Sequence, residues 1–275
     1  MSERDRTAIR DFYNELGSGE WERLDRDVAG RVSFEVHRRF LDRFIAPGMS
    51  VLEVGAGPGR FTFELARLGA RVLVTDYSPT QLELNRQTVS PTGAEAAVVG
   101  RELLDVCDTS RFGDGEFDAV VAYGGPLSYA FDEIEEAMRG LLRITRPGGI
   151  ALASVMGMLG AWRYLLPSIN EFAVEYGEDV NDAILASGDT RIRGNGHLCK
   201  MFRSSEIVDL VETCGGQLLS ASASNWASMN PPEFLAELEA DPDRWARFLE
   251  HEVAACAERG AWDGGTHLLF AMTHG

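Results

Sequence analysis

With 275 residues, 45% of them apolar and 25% charged, the chain has the composition of a globular protein able to bury a sizeable core. Its 43 acids against 26 lysines and arginines leave a net charge of −17, which opposes binding to DNA, RNA or an anionic membrane; no apolar run approaches the roughly 20 residues of a membrane span. Cys107, Cys199, Cys214 and Cys256 lack Cys-x-x-Cys spacing and read as reduced thiols, so no metal is expected, and the start Met-Ser-Glu-Arg-Asp-Arg lacks a secretory apolar region, which predicts a cytoplasmic protein.

The first segment, 1–45, reads as a helical cap of two or three helices: Val32, Val36, Phe40 and Phe44 recur every fourth residue, with Phe34 and Leu41 beside them. The apolar run Met49–Val54 is a strand leading into Gly55-Ala-Gly57, and a helix follows over Phe61–Leu68, closed by Gly69. Ala70–Thr75 is the second strand, ending at Asp76; Ser78 followed by Pro79 caps the next helix. A third strand is expected over Glu95–Val99 or slightly later, and a fourth over Phe117–Tyr123. A helix over Phe131–Leu142 and the turn Arg146–Gly149 then lead to a fifth strand, Ile150–Val155.

Beyond Val155 the alternation stops. Residues 157–200 hold Trp162, Tyr164, Phe172 and Tyr176 among helix-like pieces, interrupted by the glycine-rich 188–196, and are expected to form a lid. Residues 204–275 return to the pattern with a helix over Ser204–Cys214 and a strand over Gln217–Ser222. Helices over Pro232–Leu238 and Asp243–Glu258 precede the last strand, His267–Thr273. Regular β-α repetition predicts one doubly wound α/β domain, with a mainly parallel sheet, helices on both faces and right-handed crossovers.

Glu53-Val-Gly-Ala-Gly57 at the first strand's end and Asp76 at the second's form a nucleotide-like site: glycines admit a ligand to the backbone, and the second acid is placed for ribose hydroxyls. A dinucleotide fingerprint fails, because Arg60 stands where the third glycine belongs. Acid-x-Gly-x-Gly followed by an acid on the next strand resembles the class I S-adenosylmethionine-dependent methyltransferases, over about Gly48–Val155 with further agreement at the last strand. The resemblance implies a seven-stranded sheet whose last strand inserts antiparallel between the fifth and sixth, a core at 48–155, and S-adenosylmethionine as cofactor.

It also implies residue roles. Glu53 favours the methionyl ammonium or simply caps its turn, with Gly55, Ala56 and Gly57 supplying backbone groups to that end of the ligand. Asp76 accepts from both ribose hydroxyls. Tyr77 either covers adenine or packs on the next helix. Asp105 accepts from the adenine amino group and Val106 donates from its backbone, with Asp108 competing for the first role. Tyr123-Gly-Gly-Pro-Leu-Ser-Tyr129 shapes the methyl-transfer edge, where Ser128 or Tyr129 could orient an acceptor; the Asn-Pro-Pro-aromatic motif of amine-modifying relatives is absent.

An oxygen or carbon acceptor needs a base. His197, lying between the lid and the next helix, leads His267 and His37; each also fits a structural role, as do Tyr13 and Trp21 in the cap. The expected partner is a small organic acceptor, neutral or cationic, rather than nucleic acid or membrane: Lys200 is the only lysine, and Arg191, Arg193 and Arg203 are the place for a local basic pocket. The sequence gives no oligomeric state. The rivals are an NAD-type oxidoreductase and a cofactor-binding or scaffold protein without turnover.

Overall fold

The computed structural model describes residues 1–194 and 196–275. Helices α1 (Glu3–Leu16), α2 (Gly19–Arg23) and α3 (Val28–Asp42) open the chain. Local chemistry sets their starts: Ser2 and Asp5 cap α1 reciprocally, and the Asp27 carboxylate accepts from the Gly30 amide at the head of α3. The four-residue repeat buries Val32 and Val36 against Ala223, Leu235 and Cys256, and Phe40 against the sheet, while Phe34 and Phe44 are only partly covered.

Next come β1 (Ser50–Val54), α4 (Arg60–Arg67), β2 (Arg71–Asp76), α5 (Pro79–Val89), β3 (Val98–Leu103), β4 (Phe117–Ala122), α6 (Ile134–Ile144) and β5 (Thr145–Met156). Helices α7 (Met158–Tyr164), α8 (Leu166–Tyr176) and α9 (Glu178–Ser187) follow, then α10 (Ser204–Thr213), β6 (Gly216–Ala223), α11 (Pro232–Glu239), α12 (Pro242–Ala257) and β7 (His267–His274). The strand order is β3-β2-β1-β4-β5-β7-β6. β7 runs antiparallel to both neighbours and the other pairs are parallel.

Alternate side chains divide the sheet between two cores. Leu52, Val120, Ala153 and Phe270 meet α6 and α10 on one face; Val51, Val121, Leu152 and Leu269 meet α3 and α4 on the other. The order reverses between β1 and β4, so the carboxyl ends of β1, β2 and β4 border a crevice at the switch point.

Three boundaries differ from the sequence expectation. Gly93–Ala97 is a 3-10 turn capped by Thr92, so pairing of β3 with β2 begins at Val98. This edge strand exposes Val99 and Leu103 and has no alternating apolar pattern to mark its start. β5 starts at Thr145 rather than Ile150 because Arg146–Gly149 is taken up where the register to β4 shifts: Thr145 faces Phe117 and Ile150 faces Ala119. The helix expected from Phe131 opens as a 3-10 turn at Phe131–Glu133, and α6 begins only at Ile134.

The expected lid segment, 157–200, holds the three helices α7 to α9, and Asn195 within it lies outside the described residues. Neither α8 nor α9 contains a buried residue, and Val174 is 90% exposed. Amides of α8 and α9 are therefore expected to exchange faster than those of β1, β4 and β5 in the free protein, and to gain protection with demethylated cofactor plus acceptor. Equal protection in the free protein would show that these helices do not open.

Candidate active site

Where β1 ends, the chain turns through Gly55, Ala56 and Gly57 into α4. Gly55 has φ +68°, and a β-carbon there would lie 2.5 Å from Pro126 Cγ, so conformation and space both require glycine. Asp76 ties this turn to the next strand: Oδ2 accepts from Gly57 N and Oδ1 from Ser78 N, each at 2.8 Å. Gly55, Ala56, Gly57, Asp76, Tyr77, Asp105, Val106 and Tyr123 line one cleft above these strand tips.

Glu53 is not on that lining. It lies under the glycine turn, with Oε2 accepting from Thr62 Oγ1 at 2.6 Å and Oε1 buried without a partner. Asn85 Nδ2 donates to Thr62 Oγ1 at 3.0 Å, and Arg101 Nε donates to Asn85 Oδ1 at 2.9 Å, a polar line running in from the sheet edge. Burial raises the Glu53 carboxyl from 4.5 to about 8, with the Asp76 charge adding to the rise and the Thr62 bond opposing it.

A folded-state value above the unfolded one means that Glu53 costs stability progressively as pH rises from 4.5 to about 8. Glu53→Gln should therefore raise stability at pH 8 by roughly 1–3 kcal/mol while having little effect at pH 5. A cationic group held above the turn would expel the Glu53 proton, so binding at pH 7 should release a proton that the variant does not release. Calorimetry in buffers of different ionisation enthalpy checks this; equal release from both proteins would uncouple Glu53 from the ligand.

At the far end of the cleft, Asp105 Oδ1 accepts from Cys107 N at 2.9 Å and Oδ2 is ion-paired with Arg6 of α1, which also pairs with Glu133. Asp108 is exposed and binds Ser110 in its own loop, so it caps that loop outside the cleft. Helix α1 roofs the cleft. Gln81 Nε2 donates to the Tyr13 and Gly17 carbonyls at 2.9 and 3.1 Å, and Ser78 Oγ donates to Asn14 Oδ1 at 2.7 Å. Gln81 Oε1 and the Tyr123 hydroxyl, both on residues lining the cleft, are buried without partners. Each such atom costs about 1–3 kcal/mol unless something bonds it.

Beneath the lid lies a second chamber of about 670 Å³, walled by apolar residues such as Met158, Ile169, Phe172 and Ile184. Trp162 lines it too, and its Nε1 is buried without a partner. Tyr13, Glu20, Arg23, Leu24 and Gly124 line both spaces, so cleft and chamber meet there. Glu20 and Arg23 are ion-paired at 2.7 Å.

At this junction the Tyr129 hydroxyl is bonded to the Tyr13 hydroxyl and, at 2.8 Å, to His197 Nε2, while Phe12 stacks on His197 with ring centres 4.7 Å apart. Burial, then Arg193 and Arg23, lower His197 from 6.5 to about 4, which keeps it neutral at physiological pH. His267 also lines the chamber, and its buried imidazole is held well below the usual histidine range, again chiefly by burial. His37 is in neither space: its Nδ1 bonds Ser33 O at 2.8 Å and its ring packs on Tyr123, a core role. Trp21 lies under the Arg60 guanidinium. Ser128 is buried, and its Oγ accepts from Met156 N. Of the three arginines, Arg193 lines the chamber, Arg191 pairs with Asp132 and Asp189, and Arg203 donates to Leu185 O.

Residues 51–149 match the methyltransferase domain family. The matched stretch is a methyltransferase domain, and the seven-stranded sheet around it has the fold of the class I S-adenosylmethionine-dependent methyltransferases. A demethylmenaquinone methyltransferase of Parafrankia is 31% identical over 160 residues, a match covering 54% of this chain and 62% of that protein. A solved magnesium protoporphyrin IX methyltransferase of Synechocystis, with bound S-adenosylhomocysteine, superposes with a TM-score of 0.60 at 15% identity over 98% of this chain and 99% of that one. The [4+2]-cyclase SpnF shares the fold as well, with a TM-score of 0.56 at 18% identity over 89% and 80% of the two chains.

The cleft fits S-adenosylmethionine on its own chemistry. Asp76 retains lone pairs that would hold ribose hydroxyls, the glycine turn would admit the amino-acid end, and Gln81 Oε1 and the Tyr123 hydroxyl are buried without partners on the protein. Among the described residues no group of three or more His, Cys, Asp or Glu side chains is placed to hold a metal ion, and no helix is long and apolar enough to cross a membrane. Sequence reasoning missed Arg6, Gln81, Glu20 and Arg23. An i,i+3 Glu-Arg pair on a short helix reads as solvated surface, and nothing near Gln81 marks it as turned inward.

Proposed function

We propose that this protein transfers the methyl group of S-adenosylmethionine to a small, mainly apolar organic molecule seated beneath the lid. The observation that carries this is the junction at Tyr13, Arg23 and Gly124, where the cofactor cleft opens into the apolar chamber. Bound there, the cofactor supplies a methyl group on a sulfonium, whose displacement leaves a neutral thioether. The chain contributes alignment and dryness: the Gly124–Pro126 turn borders the junction, and the lid covers the acceptor, so orientation and exclusion of water supply much of the acceleration.

The name of the Parafrankia relative favours an apolar, ring-bearing acceptor. The net charge of −17 disfavours a nucleic acid or an anionic membrane as partner. Incubation with methyl-labelled cofactor and a metabolite extract should place label in an apolar small molecule. Label in RNA or DNA would overturn the acceptor class. Demethylated-cofactor binding without label in any fraction would favour a fold retained for other chemistry, as the cyclase neighbour illustrates, and tighter binding of NAD in the same calorimeter would favour an oxidoreductase.

A further inference from the structure

We propose that Tyr13, Tyr129 and His197 form a proton relay for a hydroxyl acceptor, making the reaction an O-methylation of a phenol or enol; this rests on the methyltransferase reading above. The three side chains come from α1, from the turn after β4 and from the segment beyond the lid helices, and they meet at the junction of cleft and chamber. Tyr129 lines the cofactor side, His197 the chamber side, and Tyr13 both. Separate parts of the chain thus converge on one hydrogen-bonded line.

The donor and acceptor inventory gives the line its direction. With His197 carrying its proton on Nδ1, Nε2 accepts from the Tyr129 hydroxyl, which in turn accepts from Tyr13. Tyr129 Oη keeps one lone pair for an acceptor hydroxyl. As the acceptor oxygen bonds to the methyl carbon, its proton passes to Tyr129 Oη and the Tyr129 proton passes to His197 Nε2. The carbon–sulfur bond breaks with its electron pair going to sulfur, so the sulfonium charge is neutralised and the positive charge ends on the imidazole.

Burial and the nearby Arg193 and Arg23 keep the resting imidazole neutral, so that Nε2 accepts from Tyr129, and make it a weaker base than an exposed histidine. The other ionisable groups around the relay are Glu20 on α2, Asp76 at the end of β2, Cys199 beside the chamber, and His267 on β7. Glu20 and Asp76 are the carboxylates that act on the tyrosines, and Glu20 is ion-paired with Arg23. Neither Ser128 nor His37 can substitute: the Ser128 hydroxyl holds the Met156 amide, and His37 lies in neither space.

The test uses the full chain, its Tyr129→Phe and His197→Gln variants, and three probes of one shape: 2-naphthol, 2-naphthylamine and 2-methylnaphthalene. S-adenosylhomocysteine affinity is measured first; failure of wild type to bind it defeats the methyltransferase reading and is thereby distinguished from failure of the relay. On the S-adenosylhomocysteine complex, fluorescence titration should show 2-naphthol binding at least about tenfold tighter than the hydrocarbon and the amine, the scale of a hydrogen bond to a buried polar group. Both variants should lose that preference, and His197→Gln, whose side chain lies outside the cofactor cleft, should keep its S-adenosylhomocysteine affinity.

With methyl-labelled cofactor, 2-methoxynaphthalene should form, and His197→Gln should slow it about 10²–10⁴-fold at neutral pH. The variant should recover towards about pH 10, where a phenolic hydroxyl ionises unaided. A merely structural His197 would give a loss that pH does not restore. Equal binding of the three probes, a hydroxyl preference that survives in both variants, or a variant rate as low at pH 10 as at pH 7 would each overturn the relay.

Discussion

Asp76→Ala is expected to weaken S-adenosylhomocysteine binding by about 1.5–3 kcal/mol, roughly 10–150-fold, the range for hydrogen bonds to a charged group. The carboxylate holds the Gly57 and Ser78 amides at the tip of β2 and lines the cleft, where its remaining lone pairs would serve the proposed ribose. Asp76→Asn separates the two roles, since an amide oxygen keeps one acceptor while its nitrogen opposes a backbone N–H. Burial, partly offset by the two amides, raises Asp76 from 3.8 to about 6. Because the carboxylate is the form that accepts from two hydroxyls, wild-type affinity should fall as pH drops through about 6, and Asp76→Ala should lack that fall. Calorimetry from pH 5 to 8 reads both effects; unchanged affinity in a folded Asp76→Ala protein would remove the ribose assignment.

Gly160→Ala should be among the most damaging single-methyl additions outside the cleft. A β-carbon on this α7 glycine would lie 1.9 Å from the Gly265 carbonyl oxygen and 2.3 Å from its carbon, backbone atoms that no rotamer change can move. Relief requires α7 to shift from the segment leading into β7, a loss of about 2–4 kcal/mol or a melting temperature lower by about 5–15 °C. The displaced helix walls the chamber and not the cleft, so cofactor affinity should survive while acceptor turnover falls. An unchanged melting temperature would mean that this contact yields at no cost.

The cofactor half was legible because its demands are local. A glycine that must turn beside Pro126, an acid at the tip of the next strand and a serine-proline helix start each leave a mark within a few residues. Glu53 was found by its motif, yet its depth under the turn depends on Thr62 and Asn85, contacts made across helices α4 and α5. The second chamber was foreshadowed only by the aromatic density of 157–200; its partners Tyr13 and Arg23 sit far upstream, at spacings equally suited to a solvated cap. β3 and the start of β5 escaped for a different reason: an edge strand and a register shift break the period that announces a strand.

The placement of β7 between β5 and β6 has a consequence for the order in which the molecule can assemble. Strands β1 to β5 find their partners among themselves, so as synthesis proceeds they can pair before the later chain exists. β6 cannot: its hydrogen-bonded neighbour is β7, made about fifty residues later, and until then its backbone has no ladder to join. The strand tips that carry Gly55 and Asp76 thus mature early, whereas the wall holding His267 closes last. Cofactor present during synthesis would stabilise an intermediate that can already hold nucleoside and cannot yet enclose an acceptor, and the nascent protein would commit to its cosubstrate before it can perform any chemistry.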